Sequence, residues 1–217
     1  MNEIFYLIYL CILFGAFACS LFTFKHLPGA IKLFALLLGV TFVVESIGFY
    51  GLFYGEPALY LYHFFNPFAY VLIAYIYSTV IKTSWRKKLI RFTIPGILVL
   101  SLLLTLFVQP LHTVNSYATM TISAFFVFLS LLYYYELLNQ DDTAALTSRP
   151  LFWISTGNLV FYAGIFFLEG FVTYFIKYAP DLGRKLMFIN YFLNFVLYTL
   201  YSIGFLCTRP NRKSILL

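Results

Sequence analysis

The sequence predicts an all-α, polytopic membrane protein with seven transmembrane helices. Hydrophobic residues make up 62% of its 217 residues and charged residues only 10%, and its mean hydropathy is +0.89. A helix needs about 20 apolar residues to cross the hydrocarbon core of a bilayer. The chain offers seven such runs, at about 4–24, 29–53, 58–81, 89–109, 116–138, 150–176 and 185–207. The short connections leave no room for a soluble domain, so residues 1–217 are expected to form a single integral membrane domain.

The seven runs differ in the polar residues that they carry. The first run begins beside an acidic residue, Glu3, and is longer than the apolar core of a signal peptide, so we expect it to be retained as a helix. The second and sixth runs each contain a glutamate, and the third and seventh each contain asparagines and tyrosines. The fourth run has no strongly polar residue at depth and is expected to face lipid.

Positively charged residues indicate the orientation, because Lys and Arg near short loops stay on the cytoplasmic side. With the N-terminus outside, only Lys177, Arg184 and Lys185 of the 14 basic residues fall outside. We therefore expect an N-outside, C-inside protein. The basic segment 82–91 would meet anionic lipid headgroups or dock a protein, and the net charge of +6 needs no nucleic acid.

Two buried glutamates point to an internal repeat. A carboxylate at membrane depth costs a few kcal/mol or more, so Glu45 and Glu169 need an explanation. A shift of 124 positions without gaps places Glu45 on Glu169 and Asn66 on Asn190, and it gives eight identities in 34 positions. The other six identities pair Tyr50 with Tyr174, Tyr54 with Tyr178, Phe64 with Phe188, Phe68 with Phe192, Tyr77 with Tyr201 and Ser78 with Ser202. The sequence therefore predicts a duplicated unit.

The repeat predicts a parallel 3+1+3 architecture. Repeat 1 covers about 1–82, a linker helix covers about 89–109, and repeat 2 covers about 116–207. Helices 1 to 3 then correspond to helices 5 to 7 in the same orientation. The fourth helix restores the direction of the second half.

This plan resembles that of the SWEET sugar transporters and their PQ-loop relatives, in which an inverting helix joins parallel three-helix repeats. The resemblance implies a substrate site with one asparagine from the third helix and one from the seventh, here Asn66 and Asn190. The proline–glutamine signature is absent, because the neighbouring pair Gln109-Pro110 has the reverse order. Sugar specificity is therefore not carried over. The chain also resembles small, functionally unassigned bacterial seven-helix membrane proteins, and this resemblance implies a bacterial cytoplasmic (inner) membrane as its location.

Polar side chains from several helices fall at one depth. At 1.5 Å per residue they lie roughly 7–13 Å below the outer boundary, which predicts a common site in the outer half of the membrane. We expect this site to bind a small solute or protons. Its predicted members are Glu45, Asn66, Glu169, Asn190, Asn194 and His63.

Polar stripes on helices 3, 6 and 7 extend from this site toward the cytoplasmic side. On helix 6, Asn158, Tyr162, Glu169 and Thr173 fall within a sector of about 60°, and helices 3 and 7 show matching stripes. We predict that they line a path for the solute. The residues assigned to the path are Asn158, Tyr162, Thr173, Tyr70, Tyr77 and Tyr201.

Each of these residues also has a purely structural interpretation. Asparagine and tyrosine on membrane helices often serve as interhelical hydrogen bonds worth about 1 kcal/mol or less. A buried glutamate can be a protonated carboxyl bonded to a neighbour, and His63 can be a wetted interfacial residue. These alternatives stay open at the level of sequence.

Several classes of protein are disfavoured. The three histidines are dispersed, and Cys11, Cys19 and Cys207 show neither metal-ligand nor CxxC spacing, so no metal or cofactor is expected. A retinal protein would need a lysine at mid-membrane on the last helix, whereas Lys185 lies at its outer edge. No GxSxG, HExxH or phosphate loop is present, so an enzyme is not expected.

Two functions remain from the sequence. The first is a carrier that binds a small polar or cationic solute between the repeats. The second is a seven-helix membrane sensor that signals to a separate cytoplasmic protein through segments 82–91 and 139–149. In both, the expected partners are the lipid bilayer and a small solute.

Overall fold

The computed structural model describes residues 3–139 and 146–208. These residues form seven long helices, and no strand occurs among them. Short 3₁₀ turns lie at Phe24–His26, Gly29–Lys32 and Leu146–Ser148. The long helices are α1 (Glu3–Phe22), α2 (Leu33–Tyr54), α3 (Tyr60–Val80), α4 (Ser84–Phe107), α5 (Ser116–Leu138), α6 (Pro150–Tyr178) and α7 (Pro180–Leu206).

Six of these helices are long and apolar enough to cross a membrane, by length and composition. The long helix that is not apolar enough to be a candidate span is α3, which has 21 residues but carries His63, Asn66 and several tyrosines. The described residues thus confirm an all-α protein with several helices that can span a membrane. Six candidate spans indicate an integral membrane protein.

The helices are arranged as a closed ring. In order around the ring, α1 packs on α2, α2 on α3, α3 on α5, α5 on α6 and α6 on α7, and α7 returns to pack on α1. Odd-numbered helices begin on one side of the ring, which we call the N-terminal side, and the opposite side is the C-terminal side. The ring arrangement brings residues distant in sequence to face a common interior.

The fourth long helix lies outside this ring, where it packs on α3 and α5. Only 17% of the most apolar part of α4 is buried, compared with 33–44% for the other candidate spans. Its outward face consists of aliphatic and aromatic side chains, including Phe92, Val99, Leu102 and Leu106. These side chains can be accommodated in lipid without polar partners.

A polar clamp joins the start of α4 to the end of α5. Glu136 is only 5% exposed, and its Oε1 accepts hydrogen bonds from the backbone N–H groups of Lys82 (3.0 Å) and Thr83 (3.1 Å). Its Oε2 accepts from the Thr83 hydroxyl at 2.9 Å and from Arg86 Nη1 at 2.5 Å. The Arg86 guanidinium in turn lies over the ring of Tyr135, 4.5 Å from its centroid.

This clamp explains a difference between the predicted and observed helices. The sequence places the start of the fourth helix near residue 89, whereas α4 begins at Ser84, so most of the basic segment 82–91 is helical. Apolar runs do not reveal this earlier start because the segment is rich in charge. It depends on a carboxylate contributed by another helix, which binds the backbone N–H groups just before α4.

We expect Glu136→Gln to destabilise the fold by roughly 3 kcal/mol, because removing one partner of a buried ion pair leaves the other uncompensated. The amide cannot accept at both oxygen positions, so an N–H donor must face either Arg86 or the backbone of the turn. Thermal unfolding of the purified protein in nanodiscs measures the effect. Glu56→Gln is the matched control, since Glu56 is exposed. Equal melting temperatures for the two variants would contradict the clamp.

Candidate functional site

The ring encloses a cavity of about 410 Å³ toward its N-terminal side. All six ring helices contribute to the wall, together with the α2–α3 turn and the residues just before α5. No Lys, Arg or His side chain lines the cavity in the part of the chain that the structure describes. Its polar lining residues are Tyr6, Tyr9, Thr41, Glu45, Tyr62, Asn66, Asn115, Thr119, Tyr162, Glu169, Asn190, Tyr191, Asn194, Tyr198 and Tyr201.

The structure brings together most of the residues that the sequence assigned to a ligand site. Five of the six line this one cavity, although they come from four helices: Glu45, Asn66, Glu169, Asn190 and Asn194. Two of the residues assigned to the path, Tyr162 and Tyr201, line it as well. Their common location is a structural finding, and a role in binding stays a prediction.

Two predicted residues instead face the peripheral helix α4. His63 is 4% exposed, and its ring nitrogens lie 2.9 Å from Thr105 Oγ1 and 3.1 Å from the Thr113 carbonyl oxygen. The Tyr70 hydroxyl lies 2.6 Å from Thr93 Oγ1 of α4. The spacing of the polar residues along α3 did not show which neighbouring helix each side chain would face, because α3 contacts α2, α4 and α5. Both residues hold α4 against the ring rather than lining the cavity.

A buried polar network forms the floor of the cavity. Asn158 and Tyr77 are both fully buried, and Asn158 Oδ1 accepts a hydrogen bond from the Tyr201 hydroxyl. Tyr77 binds the hydroxyls of Ser155 at 2.7 Å and Ser130 at 3.3 Å. The predicted path residues Asn158 and Tyr77 therefore lie beneath the cavity and close it toward the C-terminal side. The side chain of Thr173 lies outside the described residues.

Glu45 is held by tyrosine hydroxyls. The Tyr6 hydroxyl donates to Glu45 Oε2 at 2.8 Å, and the hydroxyls of Tyr9 and Tyr62 stand beside the same carboxyl group. A Cβ atom on Gly48 would come within 2.8 Å of the Tyr62 hydroxyl. The glycine one turn along α2 thus leaves room for Tyr62 to reach the glutamate, and this carboxyl has its partners within the protein.

Glu169 has a different environment. Its Oε2 atom is buried and has no hydrogen-bond partner among the described residues. The hydroxyl of Ser116 lies beside the carboxyl but does not reach hydrogen-bond geometry. Next to Ser116, Asn115 is 3% exposed and lines the cavity, and both polar atoms of its side chain lack partners in the described part of the protein.

The asparagines of α3 and α7 have hydrogen-bond partners within the protein. Asn66 Nδ2 donates to Thr119 Oγ1 of α5 at 2.9 Å. Asn194 Nδ2 donates to both the side-chain and the backbone oxygen of Asn190 at 2.9 Å. These bonds fix the orientation of the amide groups at the cavity wall.

Sequence reasoning missed several cavity residues. Tyr6 and Tyr9 share a face of α1 at a spacing of three, which is a usable signal, but α1 otherwise looks like a uniformly apolar span. Tyr191 lies on α7 between Asn190 and Asn194, and Tyr198 lies about one turn beyond Asn194. Helical periodicity could not assign Asn115 to the cavity, because this residue stands just before the first residue of α5.

No protein-family model, curated protein or solved structure matches this chain. No group of three or more His, Cys, Asp or Glu side chains that could hold a metal ion occurs among residues 3–139 and 146–208. The chemistry of the cavity therefore follows from its own walls. Its described lining residues offer two carboxyl groups, several amides and many phenol rings, and none of these residues is cationic.

We expect Tyr201→Phe to destabilise the protein by about 1–3 kcal/mol, since it leaves the fully buried Asn158 Oδ1 without its donor. Thermal unfolding in nanodiscs measures this loss. Tyr75→Phe is the matched control, because Tyr75 is 46% exposed and lies on α3. If both variants unfold at the temperature of the unmodified protein, the floor network does not contribute to stability.

Proposed function

We propose that the protein is a carrier that moves a small polar or cationic solute across the bacterial inner membrane. The observation that supports this proposal is a cavity shared by Glu45 of α2 and Glu169 of α6 within a ring of helices. A cavity of about 410 Å³ is within the usual range for small-molecule sites. Ionisable groups within membrane helices commonly mark solute or proton pathways.

The packing of the helices supports the proposed 3+1+3 repeat. If α1, α2 and α3 are exchanged with α5, α6 and α7, the contacts of α1 with α2 and of α2 with α3 become those of α5 with α6 and of α6 with α7. The contact between α3 and α5 becomes the contact between α7 and α1. Every neighbour relation in the ring thus has an equivalent, and α4 is the unpaired linker. Under this symmetry α3 corresponds to α7, which contains one of the six candidate spans, so we propose that α3 also spans the membrane.

In the proposed orientation the N-terminal side faces outward. The cavity then lies in the outer half of the membrane and the floor network separates it from the cytoplasm. For transport, the hydroxyl and amide groups of the floor must part, which requires α3 and α7 to separate near Tyr77 and Tyr201. The contacts between the two repeats, α1 with α7 and α3 with α5, are the places where the halves would rock against each other.

In the proposed carrier, the two carboxyl groups can be neutralised by either a cationic solute or a proton. A cationic solute balances a carboxylate that is otherwise expensive in the membrane. When the solute leaves, a proton can take its place on the carboxyl group. Glu45 and Glu169 are therefore proposed as the cation and proton sites, with Asn66, Asn190 and Asn194 as polar groups that orient the solute.

A sensor is the second candidate, and the clamp at Glu136 favours it. Glu136 ties the basic start of α4 to α5, and α5 reaches the cavity wall at Thr119. A ligand that shifts α5 would therefore move a basic surface on the proposed cytoplasmic side. In this case the cavity would bind its ligand without a path through the floor.

The carrier predicts that the floor opens to the cytoplasm. In a background with Cys11, Cys19 and Cys207 replaced by serine, we expect single cysteines at Asn158 and Tyr162 to react with a membrane-impermeant cationic methanethiosulfonate in inside-out vesicles. Both positions lie at or below the cavity, so cytoplasmic modification requires an inward-open state. The measurement is the fraction of each cysteine that is blocked.

Two control positions bracket this experiment. Asn139→Cys lies at the exposed C-terminal end of α5 and should react fully from the cytoplasmic side. Ala74→Cys is fully buried and does not line the cavity, so it should stay protected. Protection of the cysteines at Asn158 and Tyr162 under all conditions, with Asn139→Cys labelled, would reject the carrier and leave the sensor.

A further inference from the structure

We propose that the ligand of this cavity is a small organic ammonium ion that carries N–H donors on an apolar body, and that Glu169 is its anchor. This inference rests on the proposed function in that it assigns a substrate class to the same cavity. It differs from the symmetric picture in which Glu45 and Glu169 act as equal sites. The two carboxyl groups differ in whether their oxygen atoms already have partners within the protein.

The two carboxyl groups are not equivalent. Glu45 receives a hydrogen bond from Tyr6 at 2.8 Å and has two further tyrosine hydroxyls beside it. Glu169 Oε2 is buried without a partner among the described residues. A buried acceptor without a donor loses the free energy of its hydration and regains nothing. Glu169 is therefore the carboxyl group whose environment is completed by a donor from outside the protein.

A second unpartnered group stands on the same side of the cavity. Asn115 lines the cavity at 3% exposure, and its Oδ1 and Nδ2 atoms both lack partners within the described ranges. Asn115 is the neighbour of Ser116, whose hydroxyl stands beside the Glu169 carboxyl. The carboxyl and the amide thus face the cavity from neighbouring points, the carboxyl on α6 and the amide on the residue just before α5. Two independent side chains therefore mark this wall as a polar subsite.

The charge of the lining determines the sign of the ligand. Among the described residues the cavity wall contains two glutamates and no Lys, Arg or His. An anionic ligand would meet no counter-charge in a region of low dielectric constant, where unpaired charges are expensive. A cation neutralises one carboxylate and receives further attraction from the faces of the surrounding phenol rings.

The unpartnered acceptors determine the type of cation. Glu169 Oε2 and Asn115 Oδ1 both need hydrogen-bond donors, and a primary or secondary ammonium group supplies two or three N–H donors. A quaternary ammonium ion has the same charge but no donor, so it would leave both oxygens unsatisfied. A site that is built to hydrogen-bond an N–H group discriminates strongly against an analogue without it.

The rest of the cavity fits the body of such a molecule. Its remaining walls include the rings of Phe65, Phe161 and Tyr162 and aliphatic groups such as Leu38 and Ile165. With a volume of about 410 Å³ the cavity suits a single small amine with an apolar or aromatic body. An ammonium group at Glu169 would leave this body against the apolar wall.

The test uses isothermal titration calorimetry on the full-length protein in nanodiscs at pH 7. The probes are 2-phenylethylamine, its N,N,N-trimethyl analogue and 3-phenylpropionate. We expect the primary amine to bind, the trimethyl analogue to bind at least about tenfold more weakly, and the carboxylate not to bind. A tenfold difference corresponds to one charge-assisted hydrogen bond at the low end of its range.

Variants assign the binding to the proposed subsite. Glu169→Gln should weaken amine binding at least about tenfold, and Glu56→Gln, at an exposed position, serves as the matched control for loss of a negative charge. Glu45→Gln keeps an oxygen that accepts from Tyr6, so its effect should be smaller than that of Glu169→Gln. A larger effect at Glu45 than at Glu169 would overturn the assignment of the anchor.

Asn115→Leu separates a binding role from a structural one. Because the amide has no partner within the described protein, replacing it with an apolar side chain of similar size should leave the melting temperature equal or higher. Amine affinity should nevertheless fall severalfold. A lower melting temperature with unchanged affinity would show that Asn115 is a packing residue.

The outcomes also separate this inference from the proposed carrier function. Failure of all amines to bind, or equal affinity for the primary and quaternary ammonium probes, overturns the ligand assignment even if the floor cysteines are labelled from the cytoplasm. Conversely, selective amine binding with those cysteines permanently protected supports the ligand assignment and rejects transport.

Discussion

Carboxyl groups lie inside a ring of membrane helices, and the need to satisfy them there organises the whole structure. Lipid cannot solvate a carboxylate or an unpaired backbone group, so each polar atom at depth must find its partner within the protein or its ligand. The ring meets this requirement by turning its polar residues inward, toward one cavity. The apolar residues then face outward, which explains why so much hydrophobic surface is exposed in a folded chain.

The two buried glutamates meet the same constraint in different ways. Glu45 is surrounded by phenol hydroxyls that reach it from α1 and α3, and Gly48 makes space for one of them. Glu169 lies beside groups at the start of α5 that leave one of its oxygens without a partner. If the two halves arose by duplication, as we propose, their equivalent carboxyl groups have since acquired different surroundings. The difference suggests that one half supplies a stable framework and the other supplies the ligand contact.

A second polar layer lies below the cavity and has a separate role. Tyr77, Asn158 and Tyr201 are buried and satisfy one another and the nearby serine hydroxyls, and Tyr201 also lines the cavity. Interhelical bonds of this kind are individually modest in membranes, so the layer can hold the helices together and still be opened by a moderate driving force. The structural interpretation that the sequence left open for Asn158 thus agrees with its observed contacts, and it is compatible with a role as a gate.

The class of the protein and many of the residues that line the cavity are predictable from the sequence. Helix positions follow from the length of apolar runs, since the hydrocarbon core demands about 20 apolar residues per crossing. Polar residues in apolar runs are costly, which made five cavity residues recognisable: Glu45, Asn66, Glu169, Asn190 and Asn194. The 100° rotation per residue also placed the polar α7 residues on one face.

The directions of the other groups follow from the tertiary structure. His63 and Tyr70 share the helix of Asn66 but bind α4, and Asn115 reaches the cavity from a turn without periodicity. Periodicity gives the direction of a side chain relative to its own helix, whereas the neighbour in that direction depends on how the helices pack. For the same reason, only the packed ring could show that Glu45 has its partners and that Glu169 Oε2 lacks one.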